Sequence, residues 1–235
     1  MSINRKNSHG IAAFLLLLCS CFTVDAADLR TIDLPAFEPM PGMKTEWVAE
    51  KMIYNDMPMS IRNFRSNRKA GDVMKYFESK WKLNGFGQMK AQKVGEDWTL
   101  GHEVHGYVHS VQVHDIPGGS EGSLVVSMAQ PLAPEKTEFP ILPNATMVTH
   151  IQNLDLGIAA ETFTISSSRS SQDIRSWYEA EMNRRGWTLQ DYGAQQVRAR
   201  QLEYQKGKQL CRIMFMDKSP VQGHRSLVMI HWIKG

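Results

Sequence analysis

Two short runs in this chain combine residue types and spacings that could do chemistry. Gly118-Gly119-Ser120-Glu121-Gly122 fits the G-x-S-x-G pattern of a nucleophilic serine. That chemistry needs the serine on a sharp strand-to-helix turn beside an oxyanion hole. Here the run lies between two predicted strands, and the corresponding later stretch, Val221-Gln222-Gly223-His224-Arg225, has no serine. The run therefore reads as a glycine-rich hairpin loop. The second run is of imidazoles: His102, His105, His109 and His114, out of eight histidines in the chain. Imidazole is the commonest metal ligand, and a hairpin turning at His105-Gly106 would set His102 and His109 face to face. These two are the candidate metal ligands. A zinc site wants four ligands, or three and a water, and Glu103, next along the strand, points to the other side. No cofactor is expected, and the hairpin reads as solvated and histidine-rich.

Sulfur is the other excess, with 14 methionines and pairs such as Met57-x-Met59 and Met214-x-Met216. Thioethers suit Cu(I), but these are spread through the chain at apolar positions, where methionine fills gaps in a core. Cys211 lies in a strand-like run, 210–216, and reads as a small buried hydrophobe. There is no C-x-x-C and no phosphate-binding glycine loop. A formal net charge of +3 is too weak a balance for a nucleic-acid binder. Basic residues gather at Arg62, Arg65, Arg68, Lys69, Lys75, Lys80 and Lys82. A solvated helix face accounts for most of them, with an anionic surface partner as the alternative. No residue is assigned a catalytic role, and the protein is not expected to be an enzyme.

The elements that must hold these residues come twice. Placing Phe64 over Ile165 sets Ser66 on Ser167, Val73 on Ile174, Tyr76-Phe77 on Trp177-Tyr178 and Gly85-Phe86 on Gly186-Trp187. With two more residues inserted, Pro117 meets Pro220 and Ser123-Leu124-Val125 meets Ser226-Leu227-Val228. Agreement of helix, glycine stop, loop proline and final strand marks a tandem duplication. Val73, Tyr76, Phe77 and Trp81 recur at helical spacing, as do Ile174, Trp177, Tyr178 and Met182. Each copy thus has one helix with an apolar stripe toward a core. Gly85 and Gly186 stop the helices, and Ser170 or Ser171 with Asp173 starts the second. The remainder reads as strand: 45–54, 59–65, 88–94, 98–103, 107–116 and 123–129 in the first copy. The second gives 146–153, 161–166, 189–194, 197–205, 209–217 and 226–232. The fold class is α+β: two antiparallel sheets or one continuous sheet, one helix per copy on one face, the copies related by a pseudo-twofold. Residues 27–44 form a Pro-rich lead-in, 45–129 copy 1, 130–144 a Pro-rich connector and 145–235 copy 2.

A strand ending in Phe-x-Ser, a helix carrying Val-x-x-Tyr-Phe and a stop at Gly-Phe or Gly-Trp form one pattern. On those motifs the chain resembles exported proteobacterial envelope proteins built from a duplicated strand–helix–strand module. The likeness covers 59–86 closely and 161–187 less strictly, since Ile165 stands where copy 1 has Phe64. That family has no established activity, so the resemblance implies export and architecture and transfers no catalytic residue. The chain's beginning agrees. Arg5 and Lys6 precede an apolar run at 11–19, and Val24-Asp25-Ala26 offers small residues for cleavage before Ala27. Residues 1–26 thus read as a signal peptide. Leu18-Cys19-Ser20-Cys21 is a loose lipobox, whose use would instead place a diacyl anchor on Cys21. No later run is long and apolar enough for a transmembrane helix, so the mature chain is expected to be soluble, in the bacterial periplasm or secreted. Cys211 then remains alone, and the core must hold the fold without an internal disulfide. The expected function is non-enzymatic binding of another envelope protein, in a secretion or surface-appendage system. The alternative is a periplasmic metal- or small-molecule-handling protein using the His102–His114 hairpin.

Overall fold

The computed structural model describes residues 29, 31–83, 89–155, 157–190 and 200–235. Residues 1–26, expected as a signal peptide, with Cys21 among them, Gly85-Phe86 and most of the strand expected at 189–194 lie outside the described residues. The first half contains β1 (Lys44–Tyr54), β2 (Met57–Ser66), α1 (Ala70–Leu83), β3 (Met89–Val94), β4 (Asp97–Val104), β5 (Tyr107–Ile116) and β6 (Gly119–Met128). The second contains β7 (Thr146–Asp155), β8 (Ile158–Ser167), α2 (Ser171–Arg184), β9 (Thr188–Leu189), β10 (Gln201–Lys206), β11 (Gln209–Met216) and β12 (Ser226–Ile233). All the strands belong to one antiparallel sheet of order β3-β4-β5-β6-β2-β1-β7-β8-β12-β11-β10-β9. The α+β expectation stands, and the choice between one sheet and two falls to one. No helix among the described residues is long and apolar enough to cross a membrane.

Local sequence explains the elements. Along β12 every second residue, from Ser226 to Trp232, is buried, the period of a strand with one covered side. Val73, Phe77 and Trp81 are buried on α1, and Ile174, Tyr178 and Met182 on α2, while Tyr76 and Trp177 flank the stripes half-buried. Ser170 caps α2, its Oγ accepting from the Asp173 N–H at 3.2 Å. The α2 exit is a paired cap: Gly186, at φ +77°, donates to Asn183 O, and Trp187 N–H returns to Met182 O at 3.0 Å. That left-handed residue is the reason for glycine there. The α1 start is served from another element, with Ala70 N–H donating to Asp115 Oδ1 on β5 at 2.8 Å.

Both helices lie on the same side of the sheet. Cross-strand partners share a side, and Ile53 stands opposite both Pro58 on β2 and Gln152 on β7. Pro58 shares its side with Phe64, in the core under α1, and Gln152 faces Glu161, on the side of Phe163 in the core under α2. Among the described residues the opposite side carries no helix. There Met52, Met59, Ile61 and Ile151 are half-buried and Tyr54 is exposed.

Two segments depart from expectation. The Pro-rich lead-in and connector are not spacers: Phe37 and Met40 enter the first core, Phe139 and Leu142 the second. Each segment closes with the same turn, Met43 N–H to Met40 O at 3.1 Å and Ala145 N–H to Leu142 O at 3.2 Å. The final strands also align differently. Ser226 stands opposite Ser167 as Ser120 stands opposite Ser66. In register, then, Ser226 takes the position against β8 that Ser120, and not Ser123, takes against β2.

Candidate functional site

The β4–β5 hairpin turns at His105-Gly106, both at positive φ (50° and 80°), the two-residue turn that matches strand twist. Register follows: His102 stands opposite His109 and Leu100 opposite Val111. The two candidate ligands are therefore side by side, but they face α1. His102 is 3% exposed and stacks on Trp81, ring centroids 5.1 Å apart. His109 is half-buried, 5.6 Å from the Phe37 ring. The solvated reading of this pair is corrected. Alternation says which residues share a side, and not which side the core covers. His105 is exposed at the turn, and Glu103 is exposed on the far side. His114 also faces that far side, its Nδ1 2.9 Å from Asp97 and its Nε2 3.4 Å from Glu121. The four histidines do not converge. Among the described residues, no three His, Cys, Asp or Glu side chains are grouped to hold a metal ion.

What the hairpin forms with α1 and the lead-in is a cleft of 480 Å³, lined by Phe37, Phe77, Trp81, His102, His105 and His109 among others. Phe37 packs against Phe77 and Trp81 at centroid distances of 5.5 and 6.3 Å, edge to face. An ion pair between Lys80 and Glu38, 2.7 Å long, closes one rim. His109 Nδ1 is buried without a hydrogen-bond partner. Burial, with a smaller electrostatic contribution from nearby His102, holds the His109 pKa below the ordinary 6.5, which favours the neutral ring at pH 7. The second half also has a cleft between its helix end and connector, 370 Å³, lined by Phe139, Trp187, Trp232, Arg185 and Lys206. Across the β10–β11 hairpin Tyr204 stands opposite Cys211, where the β4–β5 hairpin has His102 and His109. Both are buried, and burial pushes the Cys211 thiol far above its ordinary range, which leaves it inert.

The other sequence signals resolve into structure. Ser120 is not in a loop. Gly118 makes the turn at φ +86°, β6 begins at Gly119, and Ser120 is fully buried with its Oγ donating to Arg68 O at 2.8 Å. The glycines around it serve close backbone approach. A Cβ at Gly119 would lie 2.0 Å from Ser66 O, and one at Gly122 would lie 1.9 Å from Gln112 O. Methionine is less a core filler than expected: Met40 and Met182 are buried, but Met52, Met59, Met214 and Met229 are half-exposed on the side without helices. The basic residues do not share one face. Arg62 lies on the helix side with its guanidinium 3.7 Å over the Trp47 ring, and Arg65 is on the opposite side at 3.2 Å from Glu121.

Two clusters had no signal in the sequence. Glu161, 2% exposed, accepts from His150 Nε2 at 2.9 Å and meets Lys234 Nζ. Burial, the largest influence, pushes its pKa up, but the hydrogen bonds and charges of His150 and Lys234 outweigh it and hold the carboxyl below the ordinary 4.5. These three residues meet only through strand register, far apart in sequence. Ser166 Oγ lies 2.7 Å from His224 Nδ1 and 2.6 Å from Ser219 Oγ. It has no exposed surface, so this serine ties the loop before β12 to the end of β8 and cannot meet a substrate.

Comparison with known proteins reaches the second half only. Residues 151–221 are similar to a family described as START domain-like. The span runs from within β7 through β8, α2, β9, β10 and β11, and stops before β12. It is a likeness of one segment, a minority of the chain. No curated protein and no solved structure matches.

Proposed function

We propose that this is a non-enzymatic exported envelope protein that binds another protein, in a secretion or surface-appendage system, through the uncovered side of its sheet. One observation carries the reading. Both helices lie on one side, and on the other Met52, Tyr54, Met59, Ile61 and Ile151 form an apolar group around the β1–β7 seam. An apolar patch left open on a folded surface is the usual mark of an interaction site. We also propose that the halves are duplicated copies related by a pseudo-twofold axis through the seam. The matching strand order outward from β1 and β7 supports this. So do shared details: Ser120 and Ser226 donate to Arg68 O and Arg169 O at 2.8 and 2.9 Å. Ser66 and Ser167 each accept from the N–H two residues ahead, at 3.1 and 3.2 Å.

The test is site-specific photo-crosslinking in cells. A crosslinking residue at Ile61 or at Ile151 should trap a protein of the same mass, and one at Gln172 on α2 should not. Ile61→Asp should weaken trapping from position 151 with the melting temperature unchanged. Equal trapping from both sides overturns the reading. Mass spectrometry of the mature protein checks export, with processing before Ala27 expected and a diacylated Cys21 as the contrary result. Small-molecule handling by the His102–His109 part of the hairpin is a second reading, favoured by the cleft beneath α1.

A further inference from the structure

We infer that the first-half cleft binds a neutral planar phenol, its ring held among Phe37, Phe77 and Trp81 and its hydroxyl bonded to the His109 imidazole. The inference rests on the small-molecule reading and is independent of the open side of the sheet. Three features point to this ligand class. The volume, 480 Å³, is within the range of small-molecule sites, and aromatic rings packed edge to face on one another form part of its walls. The rim charge of Lys80 is matched by Glu38, and burial favours the neutral form of the His109 ring, so neither offers a fixed charge to an ionic ligand. His109 lines the cleft, and its buried Nδ1 lacks a hydrogen-bond partner, a standing cost that a ligand hydroxyl would relieve once the ring turns to present that nitrogen. The fold adds a fourth consideration. The second half also has a cleft between its helix end and connector, yet Arg185 and Lys206 line it, and the strand pair across its β10–β11 hairpin is Tyr204 and Cys211. The imidazole pair is thus particular to the first half.

The experiment titrates para-cresol into the full mature chain, followed by calorimetry and by the imidazole resonances in NMR. Expected is one saturable event that moves the His109 ring signals, with para-cresol held roughly fivefold tighter than toluene, which has the same ring and no hydroxyl. His109→Phe should erase that preference. Val104→Trp, which fills the cleft from its lining, should weaken both ligands, and it keeps the test alive if His109→Phe fails to fold. Unsaturable binding, equal affinity for toluene, or unmoved His109 signals overturn the proposal. So does stoichiometric zinc uptake that para-cresol cannot displace. Crosslinking from positions 61 and 151 should persist in His109→Phe, so failure here and failure of the protein-binding reading can be told apart.

Discussion

Neutralising Glu161 and removing Lys234 both break the Glu161–Lys234 ion pair, yet the structure assigns them different costs. Glu161 is 2% exposed, whereas the Lys234 side chain is 40% exposed and can turn to water. Glu161→Gln converts two charge-assisted contacts into ordinary hydrogen bonds, a loss of about 1 kcal/mol each. It also removes a desolvated carboxylate, which offsets part of that loss. The net expectation is about 1–2 kcal/mol. Lys234→Met instead strands the buried carboxylate with His150 alone, and breaking a buried pair in this way costs about 3–5 kcal/mol. With a urea slope of about 2 kcal/mol/M, the midpoints should fall by roughly 0.5–1 M and 1.5–2.5 M respectively. The double variant should be more stable than Lys234→Met by itself, because the stranded charge is gone. The pH dependence has a fixed sign. A carboxyl held below its ordinary 4.5 in the folded state stabilises fully above that pH, and the contribution is lost as pH falls through the folded value. The gap between wild type and Glu161→Gln should therefore shrink in acid. A Lys234→Met loss no larger than that of Glu161→Gln, or a gap constant from pH 7 to pH 3, would refute the reasoning.

Trp81→Ala should cost about 3–5 kcal/mol, since that ring is buried among Phe37, Phe77 and His102. Trp177→Ala should cost only about 1–2 kcal/mol because its ring is half-buried; equal losses in urea melts would contradict the assignment of the two stripes. Ser120→Ala and Ser226→Ala should each lose about 1 kcal/mol, as each removes one buried hydrogen bond to a carbonyl in the turn before a helix. An unequal pair would count against equivalent roles. Gly122→Ala should cost more than about 2 kcal/mol, since its Cβ would meet the Gln112 carbonyl at 1.9 Å. A neutral result by thermal melting would mean that β5 and β6 can separate freely there.

What the sequence disclosed was local. Helical spacing found both helices, and Gly186 found the α2 exit, because caps and stripes are written within a few residues. Alternation placed His102 and His109 on one side correctly and could not say that α1 covers it. The prolines hid the lead-in and connector. Proline at 39, 41, 140 and 143 signals loop, but a loop can still insert Phe37 or Phe139 into a core. The match of Ser123-Leu124-Val125 to Ser226-Leu227-Val228 misled because residue identity competes poorly with register. Pairing to β2 and β8 decides which serine reaches the arginine carbonyl. Glu161 was silent for the same reason: its partners come from β7 and from the residue just beyond β12.

The seam between the halves has a mechanical consequence. β1 and β7 exchange only three residue pairs, Met52–Asn153, Ile53–Gln152 and Tyr54–Ile151, whereas β8 and β12 pair along eight residues. Each half also keeps its own core. A load pulling on the two halves meets its shortest ladder at the seam. The twelve strands thus behave as two stiff plates joined by a short compliant strip. Two cooperative unfolding steps are expected, with Trp81→Ala shifting one and Lys234→Met the other, and a single transition in urea moved equally by both variants would contradict this. Asn55, bound to the His150 backbone in both directions at 2.8 Å, adds a fixed point at the end of this short strip.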